Sequence, residues 1–263
     1  MARVLVTGGT GTLGTRLVPH LLGRGHTVRT LTRHGTLTGH RPSAGPSDAG
    51  GPEAPLSHWR GDVATGEGLA EAMGTMTTVV HAATSPRMSR TVEVGGTANV
   101  VAAATEAGAH LLSISIVGVD AIAFSYYRAK RDAEELVERG GAPWTILRAT
   151  QFHDLLDRFL GWPLFPVTAH LRFQPVDADE VAARLADLVD AGPSGRAEDF
   201  GGPEVLALPA LAETRRRIVG SAARLVPVPR VGLFRHFDEG RHLSPDHACG
   251  RVTWEAWLRS RRG

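Results

Sequence analysis

A glycine-rich segment near the start of the chain constrains the fold more than any other feature. It reads Gly8-Gly9-Thr10-Gly11-Thr12-Leu13-Gly14 and directly follows the β-branched run 3–7. Leu17, Leu21 and Leu22 then recur at helical spacing. Glycines between a strand and a helix let the backbone approach a phosphate that the helix amides face. The segment therefore predicts a strand, turn and helix that bind the pyrophosphate of a dinucleotide.

Each glycine of this segment has its own expected role. Gly8 permits the tight turn, Gly11 lets the backbone approach the pyrophosphate, and Gly14 lets helix and strand pack closely. The alternative is a glycine-rich turn that binds no ligand. Because the segment stands between a strand and a helix, we expect it to bind a cofactor. The residues expected to do so are Gly8, Thr10, Gly11, Thr12, Leu13 and Gly14.

Short apolar runs alternate with longer amphipathic segments along most of the chain. The expected strands cover 3–7, 27–32, a run ending at 60, 77–81, 110–117, 144–147 and 170–173. The expected helices cover about 13–22, 92–107, 126–139, 154–160, 177–190 and 208–219, and Asp177 is expected to cap the fifth. This alternation predicts an α/β fold, a Rossmann-type doubly wound parallel sheet with a small C-terminal substrate-binding elaboration.

The end of the second expected strand distinguishes between the two nicotinamide dinucleotides. NAD sites place an acid there for the ribose hydroxyls, whereas NADP sites offer a cation to the 2′-phosphate. The sequence reads Leu31-Thr32-Arg33-His34, without an acid. Arg33 therefore predicts NADP(H) as the preferred cofactor. One alternative is that the cofactor is NAD(H), and another is that Arg33 is an ordinary surface arginine.

The alternation of strands and helices fades after residue 150. We therefore expect residues 1–150 to form the NAD(P)-binding Rossmann core, and 151–263 a substrate-facing region interwoven with it. Residues 35–57 are rich in glycine, proline and serine and lack periodicity, which predicts a long loop beside the adenosine end of the cofactor. The segment after residue 219 is a tail rich in proline, histidine and aromatic residues, without an expected element.

Composition excludes several other classes of protein. A net charge of +2 with scattered arginines argues against a nucleic-acid partner. No apolar run approaches the roughly 20 residues of a membrane span. Cys249 is the single cysteine, and we expect its small side chain to be buried. A chain that cannot form an internal disulfide is expected in a reducing compartment. The chain begins without a secretion signal, so we expect a cytoplasmic protein. We also expect it to be a monomer or homodimer that acts on a small molecule.

A tyrosine and a lysine stand four residues apart in a helical segment, which places their side chains on one face. Tyr126 is a candidate proton donor to a carbonyl, because the nearby Lys130 ammonium favours the phenolate that remains. Lys130 is also a candidate ligand of the nicotinamide ribose. Ser113 or Ser115, at the end of the fifth expected strand, would polarise the carbonyl oxygen.

Lys130 is the only lysine among the 29 lysine and arginine residues. Arginine is bulky and keeps its proton, whereas lysine is a compact point charge. A lysine retained where arginine serves everywhere else indicates a chemical role. The alternative is an accidental surface pair with Tyr126.

The stretches 4–14, 61–63, 81–83, 113–120, 126–130, 147–152 and 201–205 together resemble an atypical short-chain dehydrogenase/reductase of the NmrA-like, NAD(P)H-binding branch. The resemblance spans nearly the whole chain, and the branch includes members that sense the cofactor without turnover. The cofactor residues it implies, from adenine to nicotinamide, are Asp62 and Val63, then His81, Ala82 and Ala83, then Thr150, Gln151 and Phe152.

The substrate is expected beyond the carboxyl ends of the strands, where open α/β sheets bind ligands. The aromatic candidates are Phe152, Phe159, Trp162 and Phe234. We therefore expect an NADPH-dependent oxidoreductase that reduces a carbonyl or enone of a small hydrophobic or aromatic molecule. The alternatives are a non-catalytic NADP(H)-binding redox sensor and an epimerase or dehydratase that keeps its NAD(P) bound.

Overall fold

The computed structural model describes residues 1–33 and 54–262. Its strands are β1 Arg3–Thr7, β2 Thr27–Thr32, β3 Leu56–Arg60, β4 Thr78–His81, β5 His110–Ile116, β6 Trp144–Ala149, β7 Leu164–Val167, β8 Arg172–Phe173, β9 Gly195–Arg196, β10 Leu206–Ala207 and β11 Arg224–Pro227. Its helices are α1 Gly14–Gly23, α2 Leu69–Met73, α3 Thr97–Ala107, α4 Ser125–Arg139, α5 His153–Leu160, α6 Ala178–Ala191, α7 Leu208–Val219, α8 Leu233–Asp238 and α9 Trp254–Ser260. A π-helical segment, Arg90–Gly96, leads directly into α3.

Seven strands form one sheet in the order β3-β2-β1-β4-β5-β6-β9. The pairs β1 with β2, β2 with β3, β1 with β4, β4 with β5 and β6 with β9 are parallel. The chain runs outward from β1 to β3 and then returns to place β4 on the other side of β1. Open α/β sheets bind ligands at the carboxyl ends of the strands where the order reverses, here between β1 and β4. The predicted Rossmann-type parallel sheet is confirmed.

Burial on both faces explains the continuous apolar run of β1. Val4, Leu5 and Val6 are each fully buried, although successive side chains of a strand point to opposite faces. A central strand of a parallel sheet is covered on both sides, so it has no need of a polar face. Leu17 and Leu21 of α1 are also fully buried. The helix therefore has the amphipathic spacing that its strand lacks.

The chain divides into two compact units, and neither is continuous in sequence. The first contains Met1–Ser115, Ala129–Leu147 and Ala182–Ala197. The second contains Ile116–Arg128, Arg148–Val181 and Glu198–Gly263. The division at residue 150 expected from the sequence stays a prediction.

The core of the second unit contains a stack of aromatic rings. The imidazole of His153 lies 5.8 Å from the Trp254 ring and 5.4 Å from the Trp257 ring, nearly parallel to both. Trp254 donates a hydrogen bond to the Leu211 carbonyl oxygen at 3.1 Å. Neither ring nitrogen of His153 has a partner among the residues that the structure describes. Burial lowers the pKa of His153 to about 4, so the ring is neutral at pH 7.

Several expectations need correction. Leu56 and Ser57, at the end of the predicted loop 35–57, belong to β3, while residues 34–53 lie outside the described residues. The beginning of the predicted helix 92–107 is π-helical rather than α-helical. The sequence did not predict α2, α8, α9 or the short strands β7, β9, β10 and β11. β7 and β11 pair with each other across a long sequence separation, which local periodicity does not reveal.

Cys249 was expected to be buried, and this was wrong because its side chain is exposed. A single small side chain has no periodic pattern from which burial is predictable. Asp177, in contrast, caps α6 as expected, because its Oδ1 accepts a hydrogen bond from the Asp179 amide at 2.6 Å. Within the described ranges, no helix combines the length and the apolar character needed to cross a bilayer.

The buried state of His153 predicts a loss of stability in acid. The unfolded chain takes up a proton near the ordinary pKa of 6.5, whereas the folded ring resists protonation down to about 4. The stabilisation is therefore complete above pH 6.5 and is lost as the pH falls toward 4, by about 3 kcal/mol. We expect His153→Phe to reduce this loss, measured as the free energy of unfolding in urea at pH 6.5 and pH 4.

His170→Phe is the matched control because His170 is exposed. It should leave the dependence of stability on pH as it is in the wild type. Residual dependence in His153→Phe is expected from His81, His110 and His242, since burial also lowers the pKa of each to about 4. An unchanged dependence in His153→Phe would contradict the assignment.

Candidate functional site

The glycine turn packs directly on the loop that follows β4. Gly8 has φ 72°, a conformation that side chains disfavour. A Cβ at this position would lie 2.7 Å from the carbonyl oxygen of Ala82 and from the amide nitrogen of Ala83. The Gly11 amide donates to the Gly8 carbonyl oxygen at 2.9 Å and closes the turn. The residue at position 8 is therefore restricted to glycine by both conformation and space.

The start of α1 follows immediately. A Cβ at Gly14 would clash with the Gly8 carbonyl oxygen, because the first turn of the helix packs against the glycine turn itself. Leu13 precedes the helix and provides no side-chain cap. Helix amides without a side-chain cap are suited to an anion. The local geometry therefore fits a bound phosphate.

A cleft in the first unit runs along the carboxyl ends of β1, β2 and β4. It is lined by Gly8, Thr10, Gly11, Leu31, Thr32, Arg33, Gly61, Asp62, Val63, Ala82, Ala83, Thr84, Ser85 and Val92. Predicted residues from the glycine turn, Arg33, Asp62, Val63, Ala82 and Ala83 are among them. The lining residues that the sequence did not predict are Leu31, Thr32, Gly61, Thr84, Ser85 and Val92. All but Val92 stand at or just after a strand end, which was the available signal.

Two arginines lie at the β2 and β3 end of the cleft. Arg33 and Arg60 line an adjoining cavity together with Gly61, Asp62 and Glu67. Arg60 is next to Arg33 because Thr32 and Arg60 are partners in the β2 and β3 register. Asp62 accepts a hydrogen bond from the Ala64 amide at 2.9 Å, so part of its carboxylate is used within its own loop. Arg60 was missed by the sequence analysis.

His81 lies in the core at the end of β4. Its Nδ1 shares a hydrogen bond of 2.8 Å with Thr7, and its Nε2 shares one of 3.1 Å with Thr97. Burial, together with the charge of Lys130, lowers the pKa of His81 to about 4. The imidazole is therefore neutral, and both nitrogens are used within the protein. Its predicted contact with the nicotinamide ribose stays a prediction.

The two candidate serines occupy β5. Ser113 and Ser115 are two residues apart on the strand and therefore share a face of the sheet. Ser113 is the register partner of His81. Ser115 is 3% exposed, and its hydroxyl has no hydrogen-bond partner among the described residues. Which of the two serines contacts a ligand stays a prediction.

Tyr126 and Lys130 lie on the continuous helix α4, one turn apart, as the sequence predicts. The Lys130 ammonium contacts the Glu93 carboxylate at 2.8 Å and donates to the Ile114 carbonyl oxygen at 3.4 Å. Both charged side chains are buried, with Glu93 at 1% and Lys130 at 7% exposure. Lys130 is therefore a buried residue of the first unit, which argues against the alternative of an accidental surface pair, and its chemical role stays a prediction.

Glu93 is a residue that the sequence analysis missed. Burial by itself would raise the pKa of Glu93, but the Lys130 charge and hydrogen bonds from Lys130, Thr84 and Ser85 outweigh burial and hold the pKa below its ordinary value. Glu93 is therefore a carboxylate at neutral pH. An acid in a helical segment without a motif gives no sequence signal of its own.

Tyr127 is distinguished from Tyr126 by its surroundings. Tyr127 is buried in the second unit, with its ring 5.8 Å from Phe237 in an edge-to-face arrangement. Burial raises the pKa of Tyr127 well above its ordinary value. Tyr126 is only partly buried. Of these two phenols, Tyr126 is therefore the better candidate for proton transfer.

The predicted residues after β6 belong to the second unit. Thr150 accepts a hydrogen bond from the Gly202 amide at 3.2 Å. Gln151 donates to the His242 carbonyl oxygen at 2.9 Å and accepts from the Gln174 amide at 3.2 Å. Phe152 precedes α5 and is partly buried. The polar groups of Thr150 and Gln151 thus support this unit, and their predicted place beside the nicotinamide stays a prediction.

The predicted substrate residues are not all in one cluster. Phe159 and Trp162 have ring centroids 5.0 Å apart, and Phe165 joins them. Trp162 is 48% exposed, which sets it apart from an ordinary core residue. Phe234 is partly buried on α8. Among the residues that the structure describes, Phe234 forms no ring pair with these three aromatic side chains.

Comparison with known proteins gives one family match and many similar structures. A family model described as NAD(P)H-binding matches residues 8–191. The divinyl chlorophyllide a 8-vinyl-reductase of Oryza sativa subsp. indica is 29% identical over 249 residues, which cover 86% of this chain and 61% of that protein. The chain spans 21% to 61% of the length of the curated relatives it matches.

Two solved structures illustrate the likeness in fold. An NADPH-dependent quinone oxidoreductase from Escherichia coli, complexed with NADPH, is 15% identical, with a TM-score of 0.75 over 99% of this chain and 100% of that one. The Bordetella bronchiseptica enzyme WbmH in complex with NAD+ is 17% identical, with a TM-score of 0.73 over 98% and 96% of the two chains. The TM-scores establish a shared fold, and the two structures hold different nicotinamide cofactors.

The close packing around Gly8 predicts that even the methyl group of alanine at this position destabilises the fold. We expect Gly8→Ala to lower the free energy of unfolding by more than about 2 kcal/mol, because the added methyl meets the backbone at Ala82 in a disfavoured conformation. NADPH binding, followed by cofactor fluorescence, should weaken at least tenfold. Gly23→Ala is the control, since nothing lies within 4 Å of the added methyl there. Equal behaviour of the two variants would contradict the assignment.

Proposed function

Because the chain belongs to the NAD(P)H-binding family, we propose that it is an NADPH-dependent reductase in which Tyr126 donates a proton. The proposed substrate is a small hydrophobic or aromatic molecule with a carbonyl or enone group. The observation that carries the proposal is the buried Lys130 ammonium one helical turn after Tyr126. The proposed partners are the cofactor and this small molecule. The protein is proposed to act in the cytoplasm as a monomer or homodimer.

The glycine turn and the cleft of the first unit support the proposed binding of the cofactor there. Gly8 and Gly14 leave no room for side chains where the backbone must approach a pyrophosphate. The cleft that this turn lines is also lined by Arg33 and Asp62, which follow β2 and β3, and by Ala83 and Ser85, which follow β4. A site made from several strand ends suits a dinucleotide lying across the carboxyl ends of the strands. When bound, the cofactor supplies a hydride to the substrate carbon.

The proton for the substrate oxygen comes from Tyr126 in this proposal. The phenol breaks its O–H bond as the carbonyl oxygen gains the proton, and a phenolate remains. Lys130 stabilises this phenolate because an ammonium one turn away on the same helix face favours the negative charge. Solvent then returns a proton to Tyr126. Lys130 remains protonated throughout and holds the nicotinamide ribose.

Ser115 is proposed to polarise the carbonyl oxygen. Its hydroxyl is a buried donor with no partner among the described residues, as expected of a group that awaits a ligand. A hydroxyl at hydrogen-bond distance stabilises the negative charge that develops on the oxygen. Ser113 is the alternative, at the register position beside His81.

The proposed substrate class is supported by two relatives. One is named a vinyl-reductase and the other a quinone oxidoreductase, and both names describe the reduction of unsaturated compounds. The exposed Trp162 with Phe159 and Phe165 provides an aromatic surface in the second unit. Such a surface suits a hydrophobic or aromatic substrate better than a charged one.

A redox sensor is the second candidate, and the Lys130–Glu93 contact favours it. A carboxylate 2.8 Å from the ammonium offsets part of the charge that would assist Tyr126. A protein of this kind would bind NADPH tightly without turnover. The two functions therefore differ in the effect of Tyr126 on catalysis.

Substitution of the phenol tests this difference. We expect Tyr126→Phe to lower kcat for a quinone or enone substrate by about 100-fold or more, because general acid catalysis contributes about 10²- to 10⁴-fold. NADPH affinity should stay within about threefold of the wild type. Tyr127→Phe is the matched control and should keep wild-type kcat. Equal kcat for Tyr126→Phe and the wild type would contradict the role of Tyr126.

The preference for NADPH rests on Arg33, supported by Arg60 on the same cavity. We expect Arg33→Ala to weaken NADPH binding about ten- to 100-fold, since a hydrogen bond to a charged group contributes about 1.5–3 kcal/mol. NADH binding should not change, because NADH lacks the 2′-phosphate. Arg3→Ala, at the opposite end of β1, is the control. A similar loss for both cofactors would show that Arg33 does not select NADPH.

A further inference from the structure

Glu93 connects two parts of the first unit that the reaction would use. It lies on the π-helical segment Arg90–Gly96, beside Val92, which lines the cleft. π-helical turns are rare and frequently occur at functional sites. The Glu93 side chain is 1% exposed, so its carboxylate depends entirely on protein partners.

The two carboxylate oxygens of Glu93 have different partners. Oε2 contacts the Lys130 ammonium at 2.8 Å. Oε1 accepts hydrogen bonds from the Thr84 hydroxyl at 2.6 Å and from the Ser85 amide at 2.8 Å. Thr84 and Ser85 both line the cofactor cleft. One carboxylate thus joins the lysine to the wall of the cleft.

Other titratable groups lie near Lys130 on β4 and α4. His81 on β4 is neutral, since burial and the charge of Lys130 lower its pKa to about 4. Tyr126 is one turn earlier on α4. Glu134 is one turn later, and it is paired with Arg131 and Arg196 at 3.4 Å and 3.2 Å. Glu93 is a carboxylate in direct contact with the ammonium, at 2.8 Å, and it therefore balances the lysine charge.

We propose that Glu93 is a positioning residue that keeps Lys130 charged and holds it in register with the cofactor cleft. The proposal rests on the proposed function, in which Lys130 holds the nicotinamide ribose. A buried ammonium that loses the contact with a carboxylate releases its proton more readily, because burial disfavours the charged form and the opposite charge favours it. With Glu93 present, NADPH binding should be nearly independent of pH. Without it, binding should weaken as the pH rises.

The test is Glu93→Gln, which keeps the size of the side chain and removes its charge. NADPH dissociation constants are measured by fluorescence titration of the full chain between pH 6.5 and 9.5. We expect a change of less than about threefold for the wild type over this range. For Glu93→Gln we expect a loss of affinity of at least tenfold. An affinity equally reduced at every pH would indicate a merely structural role and would overturn the proposal.

Two further variants make the result specific. Lys130→Met and the double variant Glu93→Gln/Lys130→Met should both bind NADPH weakly and without dependence on pH, because neither has an ammonium that can lose its proton. Dependence on pH that persisted in the double variant would overturn the proposal. If Glu93→Gln does not fold, Glu93→Asp takes its place; because this variant keeps the carboxylate charge, we expect a flat profile with an affinity within about threefold of the wild type. A strong dependence on pH in Glu93→Asp would count against Glu93.

The binding measurement also separates this proposal from the proposed function. Turnover is not needed for it, so a protein that reduces no substrate still yields the pH profile. If Lys130→Met binds NADPH as tightly as the wild type, the role of Lys130 and that of Glu93 both fail. If Lys130→Met binds weakly and Glu93→Gln has a flat profile, only the role of Glu93 fails.

Discussion

The close backbone approach at Gly8 is the constraint on which the candidate site depends. Its positive φ turns the chain from β1 toward α1, and the missing Cβ lets the turn touch Ala82 and Ala83. The glycine turn and the loop after β4 are two walls of one cleft, so this contact sets their separation. A side chain at position 8 would push the walls apart. The helix amides and the β4 loop are able to face one ligand because the contact is made by backbone alone.

The buried charges behind this cleft depend on one another. Taking Glu93 or Lys130 out of water alone would cost several kcal/mol, and their contact at 2.8 Å offsets part of that cost. Thr84 and Ser85 satisfy the other carboxylate oxygen, while His81 remains neutral beside the pair. A buried ion pair seldom stabilises the folded state more than apolar residues of similar volume would. The pair contacts Thr84 and Ser85 of the cleft wall through Glu93, which agrees with the proposed role of Lys130 in cofactor binding.

Most of the sheet was predictable because its central strands are continuous apolar runs and its helices are amphipathic. The bounds of β1 and β2 agree with expectation to the residue. Short strands such as β9 and β10 were not predicted, because each forms only by pairing with a strand distant in the sequence. In the site, strand-end residues were predictable from position. Glu93 was not, because it stands in a helical segment without a motif and meets Lys130 only in the folded chain.

The sequence by itself determined the parallel α/β sheet, the glycine turn and the spacing of Tyr126 and Lys130, because each depends on local conformation or on periodicity. Only the tertiary structure decided that Lys130 is buried against Glu93 and that His81 is neutral with both nitrogens occupied. It also decided that Arg60 stands beside Arg33. The physical reason is that burial and charge balance arise from residues far apart in the chain, and their distances exist only after the strands have paired.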